Sequence, residues 1–115
     1  MKRGDVYWAI LDPRSGSEQR GRRPVMVVSH DSFNSVVTWR SVIVIPFSTS
    51  ETQRRRGPTA IAIPAGAAGL TSDCVALCHQ VTTLDRSKLA ERVGKVDLDL
   101  LRLIEEGLKS AMDLP

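Results

Sequence analysis

Ser41-Val-Ile-Val-Ile-Pro-Phe47 is an unbroken apolar run, the composition of a strand buried on both faces of a sheet. Pro46 removes one ladder donor, so that end of the strand is expected at a sheet edge or exit. Reading upstream, Pro24-Val-Met-Val-Val-Ser29 is a second short apolar strand. Asp31-Ser-Phe-Asn34 then reads as a turn or a single helical turn, with Ser29 or Asp31 available to cap it. Asp5-Val-Tyr-Trp-Ala-Ile-Leu11 alternates, with Val6, Trp8 and Ile10 on one side, and stops at the turn signal Asp12-Pro13. Downstream come a strand over Thr59–Ile63, a turn over Pro64–Gly69 and a longer strand within Ser72–Leu84. In that longer strand Val75, Leu77, His79 and Val81 share a face, and a brief last strand covers Arg92–Val96. The period then changes. Leu98, Leu101, Ile104, Leu108, Ala111 and Met112 recur at threes and fours, an amphipathic helix with Asp97 as its N-cap. Gly107 weakens that helix by about 1 kcal/mol relative to Ala, so packing must hold it. Five or six short strands and one terminal helix predict a mainly β fold, a small and strongly curved antiparallel sheet or barrel.

The 115 residues suit one domain over 1–115, large enough to fold without disulfides or a structural metal. At 42% apolar residues the composition is that of a globular chain. No apolar run approaches the roughly 20 residues needed to cross a bilayer, and Met1-Lys2-Arg3-Gly4-Asp5 lacks the apolar core of a secretory signal. A cytoplasmic location without membrane association is expected. On one strand, Cys74 and Cys78 would stand roughly 13 Å apart, too far for a disulfide, and both read as small buried hydrophobes. Neither they nor the acidic residues complete a metal-ligand set, so no metal or cofactor is expected.

The net charge of +3 is modest, but its distribution is not even. Arg20, Arg22 and Arg23 cluster in one loop, and Arg54, Arg55 and Arg56 in another; each lies beside Gly or Pro. Two such loops in a short chain point to a polyanionic partner. Glycine-rich phosphate loops and the His-Glu-x-x-His pattern are absent. His30 and His79 read as structural. The first loop, Gly16-Ser-Glu-Gln-Arg-Gly-Arg-Arg-Pro24, offers a carboxylate, an amide and guanidiniums at the mouth of a strand. Pro24 pushes Arg23 toward an extended backbone, which gives its side chain a defined direction. The planar fork of a guanidinium suits a phosphate. Pro46-Phe-Ser-Thr-Ser50 places hydroxyls at another strand end. Hydroxyls and a guanidinium converging on one phosphate would stabilise a pentacoordinate transition state. With RNA the nucleophile is the substrate's own 2′-hydroxyl, so no metal-activated water is needed.

An ordered series of motifs is more specific. Arg3-Gly-Asp-Val-Tyr-Trp8, Leu11-Asp-Pro13, Gly16-Ser-Glu-Gln19 and Gly21-Arg-Arg-Pro-Val-Met-Val-Val28 resemble the opening of the MazF/PemK toxins. Val42-Ile-Val-Ile-Pro-Phe-Ser48, Gly69-Leu70, Gln80 and Asp85-Arg-Ser-Lys-Leu89 continue the likeness over nearly the whole chain. The resemblance implies an SH3-like antiparallel β-barrel with a C-terminal helix, shared with toxins of the CcdB type, acting as a homodimer. It implies sequence-specific, metal-independent cleavage of single-stranded RNA to 2′,3′-cyclic phosphate and 5′-OH ends. Arg23 takes the place of the catalytic acid/base or phosphate stabiliser, and Ser48 that of a catalytic hydroxyl where many relatives carry threonine. Glu18, Gln19 and Gln80, with Arg20, Arg22, Arg54, Arg55 and Arg56, are expected along the RNA groove. A cognate antitoxin with an acidic, disordered tail is the implied protein partner. The alternatives on the same fold are a non-catalytic nucleic-acid or protein-binding module and a gyrase-poisoning toxin. Fold alone does not separate them.

Overall fold

The computed structural model describes residues 1–12, 16 and 18–115, so parts of the first polar loop, including the turn expected at Pro13, lie outside the described residues. The strands are β1 (Asp5–Ile10), β2 (Arg22–Val27), β3 (Ser41–Ser48), β4 (Ala60–Ile63), β5 (Cys74–Leu77), β6 (Thr82–Asp85) and β7 (Leu89–Lys95). Two single-turn helices, α1 (Asp31–Asn34) and α2 (Glu51–Arg54), and the long α3 (Leu98–Met112) complete the regular elements. All described pairings are antiparallel, in the order β4-β5-β3-β2-β1-β7, with β6 also on β3. The mainly β fold with its C-terminal helix is as expected. The barrel is not closed by a ladder, because β4 and β7 end the path without pairing to each other. The 3₁₀ turn Ala67–Gly69 that follows β4 packs its backbone on β7 instead. A Cβ at Gly69 would collide with the Val93 carbonyl, and one at Gly94 with the Ala68 carbonyl. Gly69 also has φ +76°, so only glycine suits both the turn and the approach.

β3 is the hub. Its Ser41–Val44 half pairs with β6, and Phe47 and Ser48 pair with β5. Ile45 and Pro46 fall between those two partners. The expectation that Pro46 marks an edge is therefore wrong; it is buried in the central strand and pairs with Val25. The geometry explains its tolerance. Val28 N–H donates to the Ile43 carbonyl at 2.9 Å, and alternation along the ladder makes Val25–Pro46 a non-hydrogen-bonded pair. The pyrrolidine nitrogen thus faces the gap, where no ladder bond is lost.

Two further expectations need correction. The single strand read within Ser72–Leu84 is two, because Cys78–Gln80 makes a 3₁₀ turn that lets β5 and β6 reach different parts of β3. Val6, Trp8 and Ile10 lie on one side as expected, because β1 keeps an unbroken register with β2; Val6 is fully buried and Ile10 is 51% exposed. Tyr7, Ala9 and Leu11 alternate with them and pack into a second core cluster. The cap of α1 is neither Ser29 nor Asp31 but His30, whose Nδ1 accepts from Ser32 N–H at 3.0 Å. Ser29 is instead buried against Asn34, and the Asp31 carboxylate accepts from Arg3 N–H at 2.7 Å.

At α3, Asp97 caps as expected, accepting from Leu100 N–H at 2.8 Å. Leu100, Ile104 and Gly107 are buried, while Leu98 and Met112 at the two ends of the apolar stripe are exposed. The helix closes a core of Val6, Met26, Ile45, Phe47, Ile63 and Ala76. Cys78 Sγ donates to the Ile104 carbonyl at 3.6 Å, which seats the 3₁₀ turn directly under the helix. Both cysteines are free and buried. No helix among the described residues is long and apolar enough to cross a membrane.

Candidate nucleic-acid interface and active site

Two clefts flank the end of β3, with Pro46 facing one and Phe47 the other. The first, of about 350 Å³, is lined by Trp8 from β1, Arg22, Arg23 and Pro24 from β2, and Thr49 just beyond β3. Leu70, Thr71, Ser72 and Cys74 form its far wall and Val93 its rim. Arg23 sits opposite Ala9 in the β1–β2 ladder, so its backbone is fixed by a strand, as the following proline requires. Its Nε donates to the Arg20 carbonyl at 3.1 Å. That bond leaves the two terminal nitrogens to offer a fork to an anion.

Arg22 is committed elsewhere. Its Nη2 donates to Glu91 at 2.6 Å, and its guanidinium lies 4.5 Å from the centre of the Trp8 ring. Arg20 Nη2 donates to the Gly16 carbonyl at 3.1 Å. Ser48 is buried, and its Oγ accepts from Ser50 N–H at 3.1 Å, which keeps its own proton available to donate. The hydroxyl that lines the cleft beside Arg23 belongs to Thr49. Ser50 in turn caps α2, accepting from Gln53 N–H at 3.3 Å. Arg54 pairs with Glu51 at 3.6 Å and draws down the Cys74 thiol, whose proton affinity burial raises overall.

The second cleft, of about 380 Å³, is lined by Leu11, Glu18, Gln19, Pro46, Arg56, His79, Gln80, Val81 and Thr82. It gathers four of the residues assigned to the groove from sequence, Glu18, Gln19, Arg56 and Gln80. Gln19 N–H donates to Gln80 Oε1 at 2.9 Å across the cleft wall. His79 was read as structural, yet it is exposed on this wall. Burial first and the Arg56 charge second hold its pKa below the ordinary value. Arg55 points to neither cleft and is exposed.

Of the residues expected at the groove, Arg22, Arg23, Glu18, Gln19, Arg56 and Gln80 line cleft walls, and Thr49 comes from the hydroxyl run Pro46-Phe-Ser-Thr-Ser50. Trp8, Thr71, Ser72 and His79 were not expected there. The Thr71-Ser72 pair follows the turn that ends at Gly69-Leu70, and binding residues concentrate on such loops. Among the described residues, no group of three or more His, Cys, Asp or Glu side chains could hold a metal ion.

The chain is thus an open antiparallel sheet with a packed C-terminal helix, a fold shared with solved toxins. MazF from Deinococcus radiodurans has it, with a TM-score of 0.81 at 27% identity over 99% of this chain and 97% of that one. An endoribonuclease from Mycobacterial species, solved in complex with its cognate antitoxin, has a TM-score of 0.79 at 25% identity, covering 100% and 97% of the two chains. The chain belongs to the PemK-like, MazF-like toxins of type II toxin–antitoxin systems, whose family pattern matches residues 2–112. Among curated relatives, Endoribonuclease EndoA of Bacillus subtilis is 33% identical over 114 residues, 99% of this chain and 96% of that protein.

Proposed function

We propose that this protein is a toxin that cuts single-stranded RNA at short recognition sequences without a metal. The supporting observation is Arg23 in the first cleft, its backbone held in β2 and its side chain lining the same cleft as Thr49, Thr71 and Ser72, with Nε alone committed to the Arg20 carbonyl. A scissile phosphate placed there meets a fixed cation as charge builds on its non-bridging oxygens. The 2′-hydroxyl loses its proton and bonds to phosphorus while the bond to the 5′-oxygen breaks; the leaving 5′-oxygen takes up a proton. The products are a 2′,3′-cyclic phosphate and a 5′-OH. Ser48 is the catalytic hydroxyl in this reading, one residue behind the cleft wall. The neighbouring nucleotides then lie along the second cleft, past Glu18, Gln19, Arg56 and Gln80, with Arg22 in the first cleft and Arg20, Arg54 and Arg55 on the flanks.

The protein partner in this proposal is a cognate antitoxin whose acidic, disordered tail occupies the same basic surface. A homodimer is the proposed assembly; the exposed Ile43, Leu103 and Met112 side chains support it, and the molar mass in solution checks it. The proposed location is the cytoplasm.

The test is a gel assay on a long unstructured RNA in EDTA, with Arg23→Ala alongside. Discrete fragments with cyclic phosphate ends are expected from the wild type and none from a folded Arg23→Ala. Intact RNA with folded, antitoxin-free wild type overturns the proposal, and poisoning of gyrase by the same sample would redirect it.

A further inference from the structure

A short relay of hydrogen bonds runs from the wall of the second cleft to Arg23. Gln80, at the end of the 3₁₀ turn, turns its amide oxygen to the backbone N–H of Gln19, 61 residues away in sequence. One residue on, the Arg20 carbonyl accepts from Arg23 Nε. The other side of that peptide is fixed at Gly21, whose carbonyl accepts from Leu11 N–H at 2.9 Å and whose N–H donates to Asp12 Oδ1 at 3.2 Å. Arg20 thus lies between the anchor at Gly21, local to the end of β1, and the one supplied by Gln80.

The segment needs both. Gly16 and Gly21 have φ of +63° and +77°, and a chain with two such glycines gains many conformations once a tether is cut. Gln80 is a firm post for the tether, because its turn sits under α3 through Cys78 and Ile104.

We infer that Gln80 is a positioning residue: its Oε1 fixes the Gln19 backbone, and through the adjoining Arg20 carbonyl it sets the direction of the Arg23 guanidinium. The inference rests on the proposed ribonuclease chemistry of Arg23 and changes the part played by Gln80, from a reader of RNA to a holder of the loop. It depends on the oxygen of the amide and not on its NH₂ group, and this makes the two roles separable.

Glutamate keeps an acceptor oxygen at the same reach and removes the NH₂ donor; alanine removes both. Cleavage kinetics on a short RNA carrying a mapped cut site are compared for wild type, Gln80→Glu and Gln80→Ala. Displacing a catalytic group by about 1 Å costs on the order of 10²-fold in rate. Gln80→Ala should therefore lose kcat by that order with KM little changed. Gln80→Glu should keep kcat within a few-fold, its added charge appearing in KM. By NMR, the Gln19 amide and the Arg23 Nε–H should exchange slowly in wild type and Gln80→Glu, and fast in Gln80→Ala. Equal loss of kcat in both variants, a change of cut sequence, or unchanged exchange in Gln80→Ala each overturns the positioning role. If wild type cuts no RNA, the ribonuclease reading fails by itself, and the exchange measurements still decide whether Gln80 holds Arg23.

Discussion

At the scale of single residues, the hydroxyls at the end of β3 divide their work. Ser48 is buried and ties down Ser50 N–H, whereas Thr49 stands at the cleft wall. Removing the Ser48 hydroxyl leaves a backbone donor without its partner, at about 1 kcal/mol. Ser48→Ala is expected to lose that stability in a denaturant titration and to slow cleavage on the order of 10²-fold. Thr49→Ala should stay within about 0.5 kcal/mol of wild type and change the rate by less. The opposite ranking of rates would transfer the catalytic hydroxyl to Thr49. Arg23 was legible in the sequence because Pro24 constrains the residue before it. The commitment of Arg22 was not legible: Glu91 lies 69 residues away, and only the β1–β7 pairing brings it near. The Gln19–Gln80 bond escaped for the same reason.

Among the elements, α3 shows how a local cost can serve a packing need. Glycine at position 107 weakens a helix by about 1 kcal/mol, yet a Cβ there would come within 2.7 Å of Cys78 Sγ and 3.0 Å of Ile61 Cγ1. Overpacking of that kind costs about 1–3 kcal/mol, which exceeds the propensity gained. Gly107→Ala should therefore lower the midpoint of chemical denaturation, although a propensity scale alone forecasts a rise. The helix itself was plain from its period and from Asp97, and β3 from its apolar run. The break between β5 and β6 was not, because Cys78-His79-Gln80 contains neither Gly nor Pro and turns only because β3 changes partner there. The register shifts of β7 against β1 were hidden as well.

Across the whole molecule, five arginines were expected along the RNA groove and Arg23 at the scissile phosphate, but they are unequally free to bind it. Arg22 and Arg54 are paired with carboxylates. Arg20 and Arg23, which donate only to neutral carbonyls, remain for phosphates with Arg55 and Arg56. At roughly 0.7 per phosphate for single strands, log affinity against log salt should slope at about −3, where six contacts would give about −4. Titration of a non-cleavable oligonucleotide at several salt concentrations measures it; the steeper slope would mean that the paired arginines release their partners on binding. The packing of Gly69 against β7 bears on a different matter, the order in which the site can be built during synthesis. Val93 lines the Arg23 cleft, and β7 leaves the ribosome after β1 and β2. The β1–β2 hairpin can form early, but the cleft lacks that wall until β7 has emerged and docked beside β1.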